Sequence, residues 1–327
     1  MNQTAAATAH ANAIATSARG IFGQYGTEII LAGLLAVFFA VLAIVSPVFL
    51  TDQNLSNLLK QSSTNGIIAL GMTVVIISGG IDLSVGAVAG LVGAVAAMLM
   101  VAGVPTIIAC ALALVVSVLV GIGNAAMIME GRIPPFIATL GTMTMARGAL
   151  KLLTNASTIN GLPASFLGFG GARFLGVPLQ VCLWIVLAAV LGLVLTRTRF
   201  GRNIYAIGSS LQVARLSGIN LRSNVYGVYA LGSLMAGIAG LVLTSRVRMA
   251  APTAGTGYEL YAIAAAVIGG ASLSGAEGSI LGAILGAIIM TTIDNGGNLL
   301  GVDPFVLEIA VGALIVLAVL VDKRRKP

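Results

Sequence analysis

The chain has 327 residues, of which 58% are hydrophobic and only 8% are charged. Soluble domains carry about 25% charged residues, so this composition excludes a water-soluble fold and indicates an integral membrane protein. The formal net charge of +7 raises nucleic-acid binding as an alternative, but such proteins combine a basic face with a soluble core, which this chain lacks. The 42 glycines follow no collagen-like repeat and are typical of helices that pack closely in lipid.

In chain order, the first 27 residues are polar and rich in Ala and Thr, which predicts a cytoplasmic tail rather than a cleaved signal peptide. Ten apolar runs follow, each near the length of about 20 residues that crosses the hydrocarbon core. They predict an all-α bundle of membrane helices over residues 28–50, 63–79, 85–103, 105–129, 133–153, 177–195, 223–245, 258–273, 278–294 and 305–321.

The number of full crossings has an alternative. The second and eighth runs are short, and the fifth opens with two prolines. The fifth also carries Arg147 and Lys151, whose long side chains can reach from the helix to the membrane interface. Eight or nine crossings therefore stay open beside ten.

Positive charge predicts the orientation of the bundle. Nine of the 17 basic residues lie either between Arg197 and Arg222 or in the tail Lys323–Lys326, and short basic loops stay on the cytoplasmic side. Ten crossings from a cytoplasmic N-terminus place both stretches inside, with Arg246 and Arg248 on the outer side as a mild exception. The predicted organisation is a tail over 1–27, one transmembrane domain over 28–322 with a cytoplasmic loop at 196–222, and a basic tail over 323–327.

An internal echo suggests duplicated halves, which are common in transporters. GGIDLS at Gly79–Ser84 and GGASLS at Gly269–Ser274 each follow an apolar run and precede a helix rich in Gly and Ala. A second echo pairs Asn124 and the Pro-Phe-Ile that follows it with Asn295 and a following Pro-Phe-Val. The two members of the second echo lie about 20 residues closer together in the sequence than the two members of the first. Either one segment therefore does not span the membrane fully, or the second echo is accidental.

The catalytic inventory is thin. The single histidine, His10, lies in the predicted tail, and Cys110 and Cys182 lie inside apolar runs, so neither a metal site nor histidine chemistry is predicted. No lysine follows a glycine, which excludes the usual phosphate-binding loop of ATPases. If transport is driven by ATP, another subunit must bind the ATP and Mg²⁺ and hydrolyse the nucleotide.

Small and polar residues inside or next to the apolar runs form two groups. Glycines spaced by four are predicted to let helix backbones approach closely; they are Gly86, Gly90, Gly278, Gly282 and Gly286. The polar residues are predicted either to line a translocation path or to form hydrogen bonds between helices; they are Asn65, Asp82, Ser84, Asn124 and Asn295, with Asp294 beside Asn295. For Asp82 the alternative is a simple cap on the helix that follows.

The stretch 196–222 combines five arginines and no acidic residue with interleaved apolar side chains. This pattern predicts short amphipathic helices at the cytoplasmic face, broken at Gly201, Gly208 and Gly218. An interfacial helix held by anionic lipid is one interpretation. A docking surface for a cytoplasmic partner accounts better for the apolar content.

Four stretches of the chain form a set with a fixed order. They are GGIDLSVGA at Gly79–Ala87, IPPFIATLGTM at Ile133–Met143, the stretch Thr198–Asn220, and AVIGGASLSGAEGSILGAILGA at Ala266–Ala287. In these stretches the sequence resembles the permease subunits of ribose-type ATP-binding cassette importers, within the branched-chain amino acid/ribose permease group, and the resemblance extends over nearly all of the chain after about residue 25. A small departure is Gly275-Ala276-Glu277-Gly278, where the family often has GG-x-G.

The resemblance implies a multi-pass permease of the bacterial inner membrane with no ATPase site and no cofactor of its own. It would pair with a second copy or a related permease, dock two cytoplasmic ATP-binding subunits, and receive a pentose, hexose or polyol from a periplasmic sugar-binding protein. Stretch 196–222 resembles the family's coupling segment. The residues predicted to form this coupling loop to the ATPase are Arg199, Gly201, Arg202, Ala206, Gly208, Ala214, Arg215 and Gly218. Rival functions are an ion-coupled carrier, an intramembrane enzyme and a structural subunit.

Overall fold

The computed structural model describes residues 26–325, and it is a mostly helical bundle. Its helices are α1 Gly26–Val45, α2 Asp52–Ile77, α3 Val85–Val101, α4 Thr106–Met129, α5 Pro135–Leu153, α6 Ala164–Gly171, α7 Leu179–Arg197, α8 Arg199–Ser209, α9 Leu211–Leu216, α10 Leu221–Val247, α11 Tyr258–Ile268, α12 Ile280–Leu299 and α13 Pro304–Arg325. A two-residue hairpin joins β1 (Arg173–Phe174) and β2 (Val177–Pro178) in antiparallel register.

Six of these helices are long and apolar enough to cross a membrane, namely α1, α4, α7, α10, α12 and α13. Helices α3 and α11 are apolar but shorter, while α2 and α5 carry the charged residues Lys60, Arg147 and Lys151. Each of the ten predicted runs overlaps one of these ten helices. How many of them cross the membrane fully, and which way the termini face, remain predictions.

Several helix boundaries differ from the predicted runs by more than a turn, and two of them have a local cause in the structure. Helix α2 begins at Asp52 rather than residue 63, because the Thr51 hydroxyl accepts a hydrogen bond from the Asn54 amide (3.4 Å) and caps a polar first turn. Helix α11 ends at Ile268 rather than residue 273, since Gly270 has a φ of 90° and turns the chain out of the helix. Helix α6 and the hairpin were not predicted within the loop at 154–176.

The core lies around α2, α3 and α10. Helix α10 packs against α2, α3 and α4, and α2 also contacts α7, α11 and α12. By contrast, only 11% of α1 and 6% of α13 are buried inside the chain. Their exposed apolar faces are what lipid or another membrane subunit would cover.

The glycine pairs hold the helix crossings together. A Cβ on Gly286 would meet the Ala265 carbonyl oxygen of α11, and one on Gly282 would meet the carbonyl oxygen of Gly269. Gly278 does not belong to this stripe: α12 begins at Ile280, and Gly278 lies in the preceding loop with a φ of 147°. The predicted three-glycine stripe is therefore wrong at its first member, because the Ser279 hydroxyl caps α12 by accepting from the Gly282 amide (2.9 Å).

Replacing Gly286 by valine is expected to destabilise the chain by about 1–3 kcal/mol, since overpacking must push α11 and α12 apart. Gly123→Val is the matched control, because a Cβ there has no atom within 4 Å. Thermal unfolding of the purified proteins in detergent measures the effect. Equal melting temperatures for the two variants would contradict the close packing.

Candidate functional site

A chain of buried hydrogen bonds joins the loop between α2 and α3 to α4 and α5. The Ser84 hydroxyl donates to Asp82 Oδ1 (2.5 Å), and Asn124 Nδ2 donates to that hydroxyl (3.0 Å). Thr142 then donates to Asn124 Oδ1 (2.6 Å). Three of the predicted polar residues therefore meet at one place, and Thr142 is a member that the sequence did not indicate.

The two carboxylate oxygens of Asp82 differ in their surroundings. Its Oδ1 also accepts from the Ser84 amide (2.8 Å), so the carboxylate holds the turn that leads into α3. Its Oδ2 is buried without a hydrogen-bond partner among the described residues, and so is the Tyr229 hydroxyl. A Cβ on Gly80, two residues before Asp82, would lie only 2.5 Å from that hydroxyl. Such unsatisfied groups are costly, which marks this pocket of the core as a functional candidate.

The two other predicted asparagines lie apart from this hydrogen-bond chain. Asn65 approaches the Thr291 hydroxyl (3.5 Å) between α2 and α12. Asn295 exchanges two hydrogen bonds with Asn54, of 2.9 and 3.1 Å, near the other end of α2. Both asparagines thus join helices α2 and α12, which is the structural role that the sequence left open beside a role in transport.

Helices α8 and α9 form the amphipathic surface predicted over 196–222. Thr198 caps α8 and Ser210 caps α9, each by accepting from the backbone amide three residues on. The predicted break at Gly201 is wrong, since α8 runs through it. Gly201 is needed for another reason: a Cβ there would collide with the Leu195 carbonyl of α7.

The two faces of this surface differ in exposure. Ile204, Ile207 and Ala214 are buried against the bundle. Leu211, Val213 and Leu216 are 54%, 61% and 87% exposed on the outer face, in the same segment as the arginines. Exposed arginines on this segment are Arg199, Arg202 and Arg215, with Arg222 paired to Glu130 at 2.8 Å. A mixed apolar and basic surface of this kind suits a protein partner.

Gly208, in the last turn of α8, is the point where this surface meets the membrane helices. A Cβ on Gly208 would collide with the Ile77 carbonyl at the end of α2 and lie 2.6 Å from the Ala276 amide. The Ala276 amide itself donates to the Ile77 carbonyl (2.9 Å). The end of α2, just before GGIDLS, and the loop just after GGASLS therefore touch each other and α8 at one glycine.

Tyr205 supplies a second link from α8 to the loop before α12. Its hydroxyl donates to the Gly278 carbonyl (2.9 Å). Burial raises the pKa of the Tyr205 phenol, so the hydroxyl keeps the proton that it donates. Ala206, also on α8, is half-buried, while Gly218 ends α9 with a φ of 78° in open space.

An arginine inside α5 forms a third feature, which the sequence analysis missed. Arg147 donates to the backbone carbonyls of Ala254 (2.6 Å) and Gly255 (2.7 Å) and lies 3.8 Å from the Glu259 carboxylate. From the sequence, the side chain of Arg147 is predicted only to reach the membrane interface. The only signal in the sequence is a charged residue within an apolar run. The run itself does not show which groups that residue binds.

A family model described as the permease component of a branched-chain amino acid transport system matches residues 54–320. The chain belongs to this family. The match spans the residues of the buried hydrogen-bond chain, of the surface of α8 and α9, and of the Arg147 contacts. No solved structure matches the chain significantly.

Curated relatives of this family include sugar permeases. The chain is 42% identical over 293 residues to the ribose import permease protein of Bacillus subtilis, covering 89% of this chain and 91% of the relative. It is 39% identical to the D-allose transport system permease protein of Escherichia coli, covering 92% and 91%. It is 37% identical to the xylose transport system permease protein of Escherichia coli, covering 91% and 92%.

Proposed function

We propose that the chain is the membrane-spanning permease subunit of an ATP-driven importer for a monosaccharide or related polyol. The observation that carries this proposal is the similarity, over about nine-tenths of the chain, to permeases named for ribose, allose and xylose. ATP hydrolysis belongs to a partner subunit, which fits a family of permease components. The mixed apolar and basic face of α8 and α9 supports a cytoplasmic partner.

The proposed mechanism is alternating access driven from α8 and α9. Closure of two ATP-binding subunits would move α8 and α9. The close contact at Gly208 would transmit this movement to the loops before α3 and α12. The sugar would arrive from a periplasmic binding protein on the opposite face. Two permease copies, or one copy and a related permease, would surround the path.

The proposed topology follows from the same assignment. Both termini lie in the cytoplasm of a bacterial inner membrane protein, ten helices cross or enter the membrane, and the two echoes reflect an ancient duplication. Lys323 in α13 and the arginines of α8 and α9 then lie on one side. The tail predicted over residues 1–27 falls almost wholly outside the described residues.

The test is transport by the reconstituted complex. We expect vesicles that contain this chain, its ATP-binding subunit and its binding protein to take up radiolabelled ribose, allose or xylose when ATP is supplied inside. Uptake should stop with vanadate or with an ATPase-inactive partner. Uptake that needs an ion gradient and ignores vanadate would overturn the proposal.

An ion-coupled carrier of a small polar solute is the second candidate. It is favoured by one observation, the buried Asp82 carboxylate with an unpartnered oxygen among residues 26–325. Ion-coupled carriers place such carboxylates within the membrane. The substitution of Asp82 that separates the two functions is argued in the Discussion.

A further inference from the structure

The chain between α10 and α11 is a non-helical segment packed among membrane helices. It runs from Arg248 to Gly257 and bends at positive φ at Arg248 (64°), Gly255 (71°) and Gly257 (81°). Backbone groups of such a segment find no partners in lipid, so they must bond to protein or line a cavity. Non-helical backbone packed against membrane helices in other transporter folds lines a cavity or the substrate path.

Three contacts fix this segment from three sides. Ala250 exchanges two backbone hydrogen bonds with Ile159 of the loop after α5, of 2.9 and 3.0 Å. The carbonyls of Ala254 and Gly255 press against α3, where a Cβ on Gly90 or Gly86 would collide with them. Arg147 donates to the same two carbonyls from α5.

Arg147 is suited to this task by its planar fork of donors, which can serve two neighbouring carbonyls at once. Its side chain is only 18% exposed and that of Glu259 13% exposed. The 3.8 Å ion pair leaves Glu259 Oε2 buried without a hydrogen bond among the described residues. The guanidinium thus donates its hydrogen bonds to backbone carbonyls of the segment rather than to the nearest carboxylate, that of Glu259.

A small cavity lies on the other side of the segment. Its volume is about 240 Å³, and hydroxyl-bearing residues of α10, the segment and α11 contribute to its wall. They are Thr244, Thr253, Thr256 and Tyr258. Arg147 is not part of this wall but holds the carbonyls of two residues that are, Ala254 and Gly255.

We propose that Arg147 is a positioning residue for transport: it holds segment 248–257 in the conformation that lets the solute pass its outer end. The inference rests on the proposed importer function, and it adds that the segment lines the path. Loss of the fork would free the two carbonyls, and the segment would change its exposure to water. Transport would fall although the surface of α8 and α9 stays intact.

The test compares Arg147→Gln and Arg147→Lys with Lys151→Gln, an exposed basic residue one turn further along α5. In the reconstituted complex we expect both Arg147 variants to lower the maximal uptake rate by about tenfold or more, since neither side chain has the planar fork of donors that serves both carbonyls at once. The ATP-binding subunit should still copurify with both Arg147 variants. Lys151→Gln should transport like the wild type.

A second readout reports the segment directly. Cysteine is placed at Thr256 after Cys110 and Cys182 are replaced by alanine, and its labelling by a water-soluble maleimide is timed in vesicles. We expect a several-fold change in labelling rate in the Arg147 variants and none in Lys151→Gln. This change is independent of which solute is carried, so it separates a failure of this inference from a failure of the importer function.

Two outcomes would overturn the inference. Wild-type uptake together with unchanged Thr256 labelling in Arg147→Gln would overturn it. Reduced uptake with unchanged labelling would also overturn it, because the segment would then not be what Arg147 holds. If Arg147→Gln fails to assemble, Arg147→Lys, which keeps the charge and loses the fork, gives the same two readouts.

Discussion

Replacing Gly208 by valine is expected to lower import below about a tenth of the wild-type rate, while the chain still inserts and folds. The new side chain would collide with backbone atoms at Ile77 and Ala276, which cannot rotate away as a side chain would. Helix α8 would therefore be pushed off the two loops through which it contacts α2 and α12. ATP-driven sugar uptake by the reconstituted complex measures the result.

The control is Gly192→Val, a helical glycine in α7 at which a Cβ has no atom within 4 Å. It should transport normally. Copurified ATP-binding subunit and the ATPase rate separate two ways in which Gly208→Val can fail. Loss of the subunit means a lost docking surface, and retained ATPase without uptake means lost coupling. Uptake at the wild-type rate would refute the role assigned to this glycine.

Much of the fold could be predicted because apolar length and charge are local properties of the sequence. The ten apolar runs and the amphipathic stretch follow from composition and spacing alone. Gly86 and Gly90 do lie at a close approach, but it is to carbonyls of the non-helical segment after α10 rather than to a second helix. The start of α2 could not, because its first two turns are polar and depend on a cap at Thr51. The role of Gly201 could not be predicted either, because a glycine required for close packing against α7 cannot be told apart in the sequence from one that ends a helix.

The site was predictable in its parts but not in its connections. Asp82, Ser84 and Asn124 were predicted as polar residues in apolar surroundings, and the structure brings them together. Thr142 was missed because a threonine in a helix commonly bonds to its own backbone. Arg147 was missed for a similar reason: its partners are carbonyls more than a hundred residues away, and backbone groups leave no trace in the sequence.

Asp82→Ala is expected to reduce both the yield of folded protein and import more strongly than any other single change in the buried hydrogen-bond chain. It removes the acceptor of two hydrogen bonds from Ser84. Each buried group left unpaired costs about 1–3 kcal/mol, and Asn124 and Thr142 depend on the same chain. Detergent melting temperature and ATP-driven uptake measure the two losses.

Asp82→Asn separates the importer from the ion-coupled carrier. Asparagine keeps an oxygen for Ser84 and places a neutral amide where the unpartnered Oδ2 lies. If Asp82 shapes the entry to α3, the amide variant should retain at least half of the uptake with ATP dependence unchanged. If Asp82 binds a coupling cation, removing the charge should abolish uptake while the melting temperature holds. A stable but inactive Asp82→Asn would therefore favour the carrier, because a neutral side chain of the same shape can replace a hydrogen-bonded cap but not a cation ligand.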